Sequence, residues 1–351
     1  MKIVVVGATG NVGSALLRRL RGDPVGDDLH AVARRVPRNP PPPPFDAVSA
    51  WTACDVGAPG AQTALTDAFA GADCVVHLAW AIQPSHDRER LRATNVLGTR
   101  AVLEAATRAR VPHLVVASSI GAYAPVPQGD DSPRDELWPA TGIASSSYSS
   151  DKAEVESMLD EAESGPVRIA RLRTALVFQR RAGAEIGRLF LGPLFPKRLI
   201  GGPLPFLPWP RAVRFQVVHA DDAALAYRQA IVRRAVGPFN VAADGVLTGG
   251  DVARLLRAAA LVELPRALVR AVLLAAWQAR AAGVGPGWLD MACGAPVLDT
   301  RRALDELGWR PLRTAEAVVA EAVRGLRDGV GAASPPLRPR ARLVRPSPAA
   351  G

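Results

Sequence analysis

Cysteine is scarce in this 351-residue chain: Cys54, Cys74 and Cys293 make an odd count, with no CxxC spacing. A disulfide framework and a zinc ribbon are thereby excluded, and a reducing, cytoplasmic setting is expected. His30, His86 and His113 show no ligand spacing either, so no metal site is expected. Long hydrophobic runs are missing: none reaches eighteen residues without a proline or a charge, so neither a membrane span nor a membrane partner is expected. The opening MKIVVVGATG lacks the apolar stretch and small-residue cleavage site of a signal peptide. Lysine is almost absent, with only Lys2, Lys152 and Lys197 among 43 basic residues, and there are only three tyrosines.

What is present is globular: 48% apolar and 22% charged residues, enough for one large α/β unit or two smaller lobes. The net charge of +10 comes from arginines spread along the chain. Spread of that kind reflects coding composition more than a binding face. With no helix-turn-helix, zinc or stacking motif, no nucleic-acid partner is expected.

Apolar runs at 2–6 (KIVVV), 29–33 (LHAVA), 73–79 (DCVVHLA), 112–118 (PHLVVAS) and 167–172 (VRIARL) alternate with helical stretches such as 60–70, 86–110 and 147–163. Such alternation predicts a parallel sheet with helices on both faces and right-handed crossovers. The proline run 40–44 reads as an extended surface loop. Residues 192–210, rich in proline and glycine yet apolar, read as a loop that covers a second-lobe core or forms a substrate wall. From about 331 the Ala, Pro, Ser and Arg composition reads as a disordered tail.

The strongest local signal is Gly7-Ala8-Thr9-Gly10-Asn11-Val12-Gly13 between a strand and a helix. Gly7 permits a tight turn, Gly10 lets backbone approach a pyrophosphate favoured by the helix N-terminus, and Gly13 lets helix and sheet pack closely. A dinucleotide site is therefore predicted. The second strand ends in Ala33-Arg34-Arg35 instead of the acid that binds ribose hydroxyls, which favours NADP over NAD. Asp55, followed by Val56, is positioned to accept from the adenine amino group. Tyr148 and Lys152 stand four apart, on one face of a helix. A neighbouring cation lowers a phenol from its usual value near 10, so Tyr148 is the candidate acid/base, Lys152 its activator and a hold for the nicotinamide ribose. Ser118-Ser119 ends the fifth strand, where ligands of open α/β sheets bind.

Glycine loop, serine and Tyr-x-x-x-Lys in this order resemble the extended short-chain dehydrogenase/reductases, specifically the NAD-dependent epimerase/dehydratase family, over about residues 1–326. The resemblance implies a Rossmann-type doubly wound parallel sheet: residues 1–175 as the NAD(P)-binding domain, 176–330 as a smaller substrate lobe with some chain crossing back, and 331–351 as the tail. His77-Leu78-Ala79-Trp80 is similar to the family's loop beside the nicotinamide ribose. Asn95-Val96-Leu97-Gly98-Thr99 resembles its Asn-x-x-Gly-Thr helix, which makes Asn95 the fourth member of an Asn-Ser-Tyr-Lys tetrad. The serine four before Tyr123 matches the catalytic one, hence Ser119 and not Ser118. The segment from Arg173 through Thr174 and Leu176 to Phe178 resembles the one whose backbone touches the nicotinamide amide. Val218-His219-Ala220-Asp221-Asp222 and Leu307-Gly308-Trp309-Arg310-Pro311 are also similar to family segments.

Departures shape the expected chemistry. Ile120 and Gly121 stand where the family's dehydratases carry an Asp-Glu pair, which disfavours dehydration. Arg214 lies five residues before His219, one out of register with the arginine by which many of the family's nucleotide-sugar epimerases hold a phosphate. The expectation is an NAD(P)-dependent epimerase or carbonyl reductase acting at a carbinol or ketone, on a sugar nucleotide or a less polar carbonyl compound. The alternative is a non-catalytic dinucleotide sensor. A homodimer through helices 86–110 and 147–163 is expected by the same resemblance.

Overall fold

A computed structural model describes residues 1–37, 41–190 and 204–339 of the chain. Seven parallel strands form its central sheet: β1 (Lys2–Val6), β2 (Asp28–Ala33), β3 (Ala50–Ala53), β4 (Cys74–His77), β5 (His113–Ser119), β7 (Arg168–Thr174) and β11 (Gly237–Val241). Their spatial order is β11-β7-β5-β4-β1-β2-β3, with the chain reversing direction across the sheet at β1. Alternation along β1 shows why its residues are apolar throughout. Ile3 and Val5 enter one core with α1 (Asn11–Leu20) and α7 (Ala220–Arg233), while Val4 and Val6 enter the opposite core with α2 (Ala61–Phe69) and α4 (Gly98–Arg108). This is the doubly wound architecture expected from the sequence, and β11 is the chain crossing back to complete it.

The crossover before β5 is helical without a break over 88–108, within the expected stretch 86–110. It runs as α3 (Arg88–Arg92), a π-helical turn (Ala93–Leu97) and α4. Close packing accompanies the wider turn: a Cβ on Gly57 would lie 2.8 Å from the Ala93 carbonyl carbon, and one on Gly98 would lie 2.7 Å from Val56 Cγ2. After β5 come the short β6 (Pro133–Arg134) and then α5 (Ser147–Ala162), whose N-terminus is capped by the Ser146 side chain.

Later segments form three short strand pairs. β8 (Leu176–Phe178) pairs with β10 (Val217–His219), β9 (Leu207–Pro210) with β12 (Leu261–Leu264), and β13 (Val297–Leu298) with β6. Helices α6 (Gly183–Phe190), α8 (Gly249–Leu255), α9 (Arg266–Gln278), α10 (Pro286–Gly294), α11 (Arg301–Leu307) and α12 (Ala315–Asp328) complete the described elements. His219 accepts from the Asp221 N–H at the start of α7 and meets Glu321, so it joins α7 to α12.

Three stretches singled out in the sequence fare differently in the structure. Of the apolar stretch 192–210, residues 192–203 lie outside the described residues, whereas Leu207–Pro210 is a strand in a two-stranded pair, where an edge tolerates proline. Of the proline run, Pro40 lies outside the described residues and Pro41–Pro44 carries neither helix nor strand. Residues 331–339, which composition alone assigns to the tail, are packed: Leu337 and Ser334 are fully buried, and the Ser334 hydroxyl donates to the Thr9 carbonyl in the glycine turn. One leucine in a proline-rich stretch has no periodicity to reveal it as an anchor.

Candidate active site

The glycine turn is a cradle in which side chains have no room. Gly7 has φ +86°, and a Cβ there would lie 2.6 Å from the Ala79 backbone nitrogen. A Cβ on Gly10 would lie 3.3 Å, and one on Gly13 only 2.4 Å, from the Gly7 carbonyl oxygen. α1 starts from Gly10 with no side-chain cap, so its first N–H groups face the turn as an anion-binding end. Thr9 is buried, while Asn11 and Val12 are half-buried. The Asn11 amide donates to Val177 O at 2.9 Å, and its carbonyl oxygen accepts from Gln179 Nε2 at 2.6 Å. That side chain therefore ties the segment after β7 to the glycine turn.

Arg34 and Arg35 project from the end of β2, both exposed and without an ion-pair partner among the described residues. Asp55 is exposed and accepts from Gly57 N at 3.2 Å, while Val56 is buried. Leu78, Ala79 and Trp80 follow β4 directly beside the glycine turn. Thr174 is buried at the end of β7, and Leu176 is exposed in β8.

The two serines at the end of β5 point to different partners, as neighbours on a strand must. The Ser118 hydroxyl donates to the buried Glu156 carboxylate. Ser119 accepts from Gly121 N at 3.0 Å and lies beside the Tyr148 phenol, whose value it lowers. Tyr148 sits in the first turn of α5, wedged between two indoles. Trp80 meets it edge-on with ring centroids 5.9 Å apart, and Trp288 of α10 lies at 5.2 Å. Burial pushes the phenol up to about 12, and Ser119 offsets only part of this.

Lys152, one turn further along α5, is 2% exposed. Its Nζ donates to Ala117 O at 2.7 Å and lies 3.4 Å from the centre of the Trp80 ring. Burial lowers the ammonium to about 7, against the opposing charges of Glu156 and Asp151. The sequence expectation of a phenol acidified by its neighbour is not met in this arrangement. The ammonium is held by a carbonyl and a π-face, and desolvation dominates both groups.

Asn95 lies in the π-helical turn. Its Oδ1 accepts from Ala81 N at 2.7 Å, and its Nδ2 reaches Asp151 Oδ2 at 3.3 Å. It therefore fixes the loop carrying Trp80 to α5. The His77 ring meets Thr99 Oγ1 at 3.0 Å and is held neutral by burial, its value lowered to about 3, which suits a packed strand-end histidine.

Behind the site lies a charge cluster that sequence reading missed. Glu156, 1% exposed, takes Arg171 Nη1 at 3.0 Å and Arg173 Nη2 at 2.7 Å. Arg173 continues to the Tyr123 hydroxyl at 3.0 Å, which donates to Asn240 Oδ1 at 2.7 Å on β11. The available signal was Glu156 four residues past Lys152, on the same helix face. Among the described residues no cluster of ligating side chains could hold a metal, and no helix is long and apolar enough to cross a membrane.

A doubly wound sheet, a glycine cradle at a helix start and a Tyr-x-x-x-Lys helix opposite it define a dinucleotide-dependent α/β enzyme class. The model of the NAD dependent epimerase/dehydratase family matches residues 3–242, and the chain belongs to that family. The UDP-glucose 4-epimerase of Thermus thermophilus, solved with NAD, is similar in fold (TM-score 0.67) at 21% identity, over 94% of this chain and 100% of the other. DesIV of Streptomyces venezuelae, a dTDP-glucose 4,6-dehydratase solved as a double mutant with NAD bound, gives TM-score 0.69 at 20% identity, over 93% and 97%. Among curated proteins, a polyketide synthase-nonribosomal peptide synthetase, ffsA of Aspergillus flavipes, is 32% identical over 123 residues. That match takes in 34% of this chain and 3% of the far longer relative.

Proposed function

We propose that the protein is an NAD(P)-dependent oxidoreductase that reduces a ketone or aldehyde carbon, with Tyr148 as the proton donor. One observation carries this reading: the Tyr148 phenol, beside Ser119 at the end of β5, shares the Trp80 ring with the Lys152 ammonium, and Trp80 follows the Ala79 that abuts the glycine turn. Acid, cation and cradle are therefore contiguous.

The cradle fits a dinucleotide. The N–H groups at the start of α1 would receive the pyrophosphate, and the free guanidiniums of Arg34 and Arg35 suit a ribose 2′-phosphate, which favours NADP. The bound cofactor supplies the hydride equivalent, so that a carbonyl carbon gains hydride while its oxygen gains a proton. Ser119 and Tyr148 would anchor that oxygen through two hydroxyls. Because burial keeps the phenol protonated, Tyr148 gives its proton to the developing alkoxide and recovers one from solvent afterwards. Lys152 would hold the ribose. Asn95 fixes the loop of Trp80 and so keeps this geometry. Dehydration is disfavoured because Ile120 and Gly121 bring no carboxyl beside Ser119.

Tyr148→Phe tests the reading. It keeps the ring between Trp80 and Trp288 and removes only the hydroxyl. Turnover is expected to fall by about 10²–10⁴ with cofactor affinity unchanged. A protein that kept turnover within a few-fold would not use this phenol as its acid.

A further inference from the structure

The glycine turn is held from outside by the C-terminal end of the described chain. α12 ends at Asp328, and it lies against α6 so closely that a Cβ on Gly183 would run into the Gly325 carbonyl. The chain then folds back on itself. Ala184 N donates to Val330 O at 2.9 Å, Ala332 N to Leu337 O at 3.1 Å and Leu337 N to Ser334 O at 3.0 Å. Gly331 meets the Leu337 carbonyl with no room for a Cβ. Arg188 of α6 clamps the segment by donating to the Pro336 carbonyl and, at 2.8 Å, to the Arg338 carbonyl. Leu337 and Ser334 are fully buried. Residues 331–339 therefore form a strap with bonds of its own.

The strap reaches the glycine turn through one hydroxyl. Ser334 donates to the Thr9 carbonyl, 325 residues away in the chain. That carbonyl belongs to the peptide joining Thr9 to Gly10, whose N–H donates to Gly7 O at 3.0 Å. Both polar ends of this peptide are thus held, one by the turn itself and one by the strap. Its orientation fixes where α1 begins. Ser14 N closes the first helical bond on Gly10 O at 2.9 Å, and helix geometry leaves the N–H groups of Asn11, Val12 and Gly13 for an anion. A glycine turn samples many conformations unless something fixes it. Ordering it beforehand removes that cost from the binding of a dinucleotide. Thr9 is buried, so its carbonyl has little access to water as a substitute for the hydroxyl.

We propose that the segment 331–339 belongs to the cofactor site: Ser334 is a positioning residue that presets the phosphate cradle, and docking of the strap is coupled to binding of the dinucleotide. The proposal rests on a dinucleotide occupying the cradle; it needs neither the reduction step nor any particular substrate. Because Ser334 acts on the turn that receives the pyrophosphate, it serves NADPH and NADH alike, in contrast to Arg34 and Arg35, whose role is confined to the 2′-phosphate. The coupling is reciprocal: a strap that helps the dinucleotide bind is itself held down by the bound dinucleotide.

Two variants and one exchange measurement test this. Ser334→Ala removes the hydroxyl at little cost in volume, and Arg188→Met removes the clamp on the other side of the strap. Fluorescence-quenching titrations with NADPH and with NADH are expected to show binding weakened by about three- to tenfold in each variant, by the same factor for both dinucleotides. In the unaltered protein, hydrogen exchange at the amides of Ala332 and Leu337 is expected to slow by about threefold or more once the dinucleotide is saturating. A purely structural strap would lower the thermal midpoint of the variants without moving either readout. Affinities within about twofold of the parent in the folded variants, a loss confined to NADPH, or exchange at these two amides that the dinucleotide leaves unchanged would overturn the proposal. The exchange measurement needs no variant, so it decides the matter if either variant fails to fold. Unaltered protein that binds neither dinucleotide would sink the cofactor reading and this inference with it; binding that ignores the strap would sink this inference alone.

Discussion

Glu156→Gln is the substitution whose cost can be worked most directly from the structure. The Glu156 carboxylate is fully buried and takes three guanidinium nitrogens: Arg173 Nε at 3.0 Å, Arg173 Nη2 at 2.7 Å and Arg171 Nη1 at 3.0 Å, besides the Ser118 hydroxyl. Arg171 keeps Asp160 and Glu163 when Glu156 is neutralised. Arg173 keeps only neutral acceptors, the Tyr123 hydroxyl and the Glu136 carbonyl. It is the cation left stranded, at about 3–5 kcal/mol. At about 2 °C per kcal/mol for a chain of this size, the midpoint should fall by about 6–10 °C. Asp160→Asn is the control: its carboxylate is 61% exposed, and its loss should cost under about 1 kcal/mol. The pH dependence has a definite sign. Burial raises the Glu156 carboxyl, but the hydrogen bond and charge of Arg173, then Arg171 and Ser118, outweigh it and hold the group below its ordinary 4.5. Its stabilisation is present above that value and is lost as pH falls through the depressed one. Calorimetric midpoints of parent and Gln variant should therefore differ fully at pH 6 and draw together as pH falls below the ordinary 4.5. A gap of less than 2 °C at pH 6, or one that persists undiminished in acid, would refute the account of Arg173 as the stranded cation.

Two further outcomes follow from the site. With the Lys152 ammonium lowered to about 7 by burial, kcat/KM for carbonyl reduction should decline above an apparent pKa near 7, and Lys152→Met should abolish that limb; a flat profile from pH 6 to 9 would remove Lys152 from the chemistry. Arg34→Ala and Arg35→Ala should each weaken NADPH by about tenfold while leaving NADH within about twofold, read by protein fluorescence quenching; equal losses for both cofactors would remove the 2′-phosphate role.

The sheet was legible because its strands are short, apolar and separated by helical periodicity, and because the glycines follow the first strand at once. Boundaries moved by a residue or two. The π-helical turn was not legible: the residues of 93–97 continue a helical pattern, and the widening goes with backbone contacts at Gly57 and Gly98, far apart in sequence. The difference between Ser118 and Ser119 could be reached from strand alternation and resemblance, but the buried Glu156 that takes Ser118 could not. Arg214 shows the same limit. Its place one residue out of register with the family's phosphate arginine could be read, but not its partner: Asp131, which takes its guanidinium, lies 83 residues away. The packing of Ser334 and Leu337 rests on contacts with no periodic signature at all.

The most consequential departure from sequence expectation concerns direction. Four-residue spacing on a helix places an ammonium near a phenol, and in water that proximity would favour phenolate. Here the ammonium faces the Ala117 carbonyl and the Trp80 ring, and both groups are desolvated. Desolvation penalises the charged form of each, so the phenol rises to about 12 and the ammonium falls to about 7. A site of this kind starts with its proton on oxygen. It is matched to protonating an alkoxide as that charge develops, and poorly matched to removing a proton from an alcohol, which would need the buried phenolate first. An epimerase must do both on one substrate at comparable cost. On the proposed reading the enzyme is a reductase, which needs only the first, with solvent restoring the proton between turnovers.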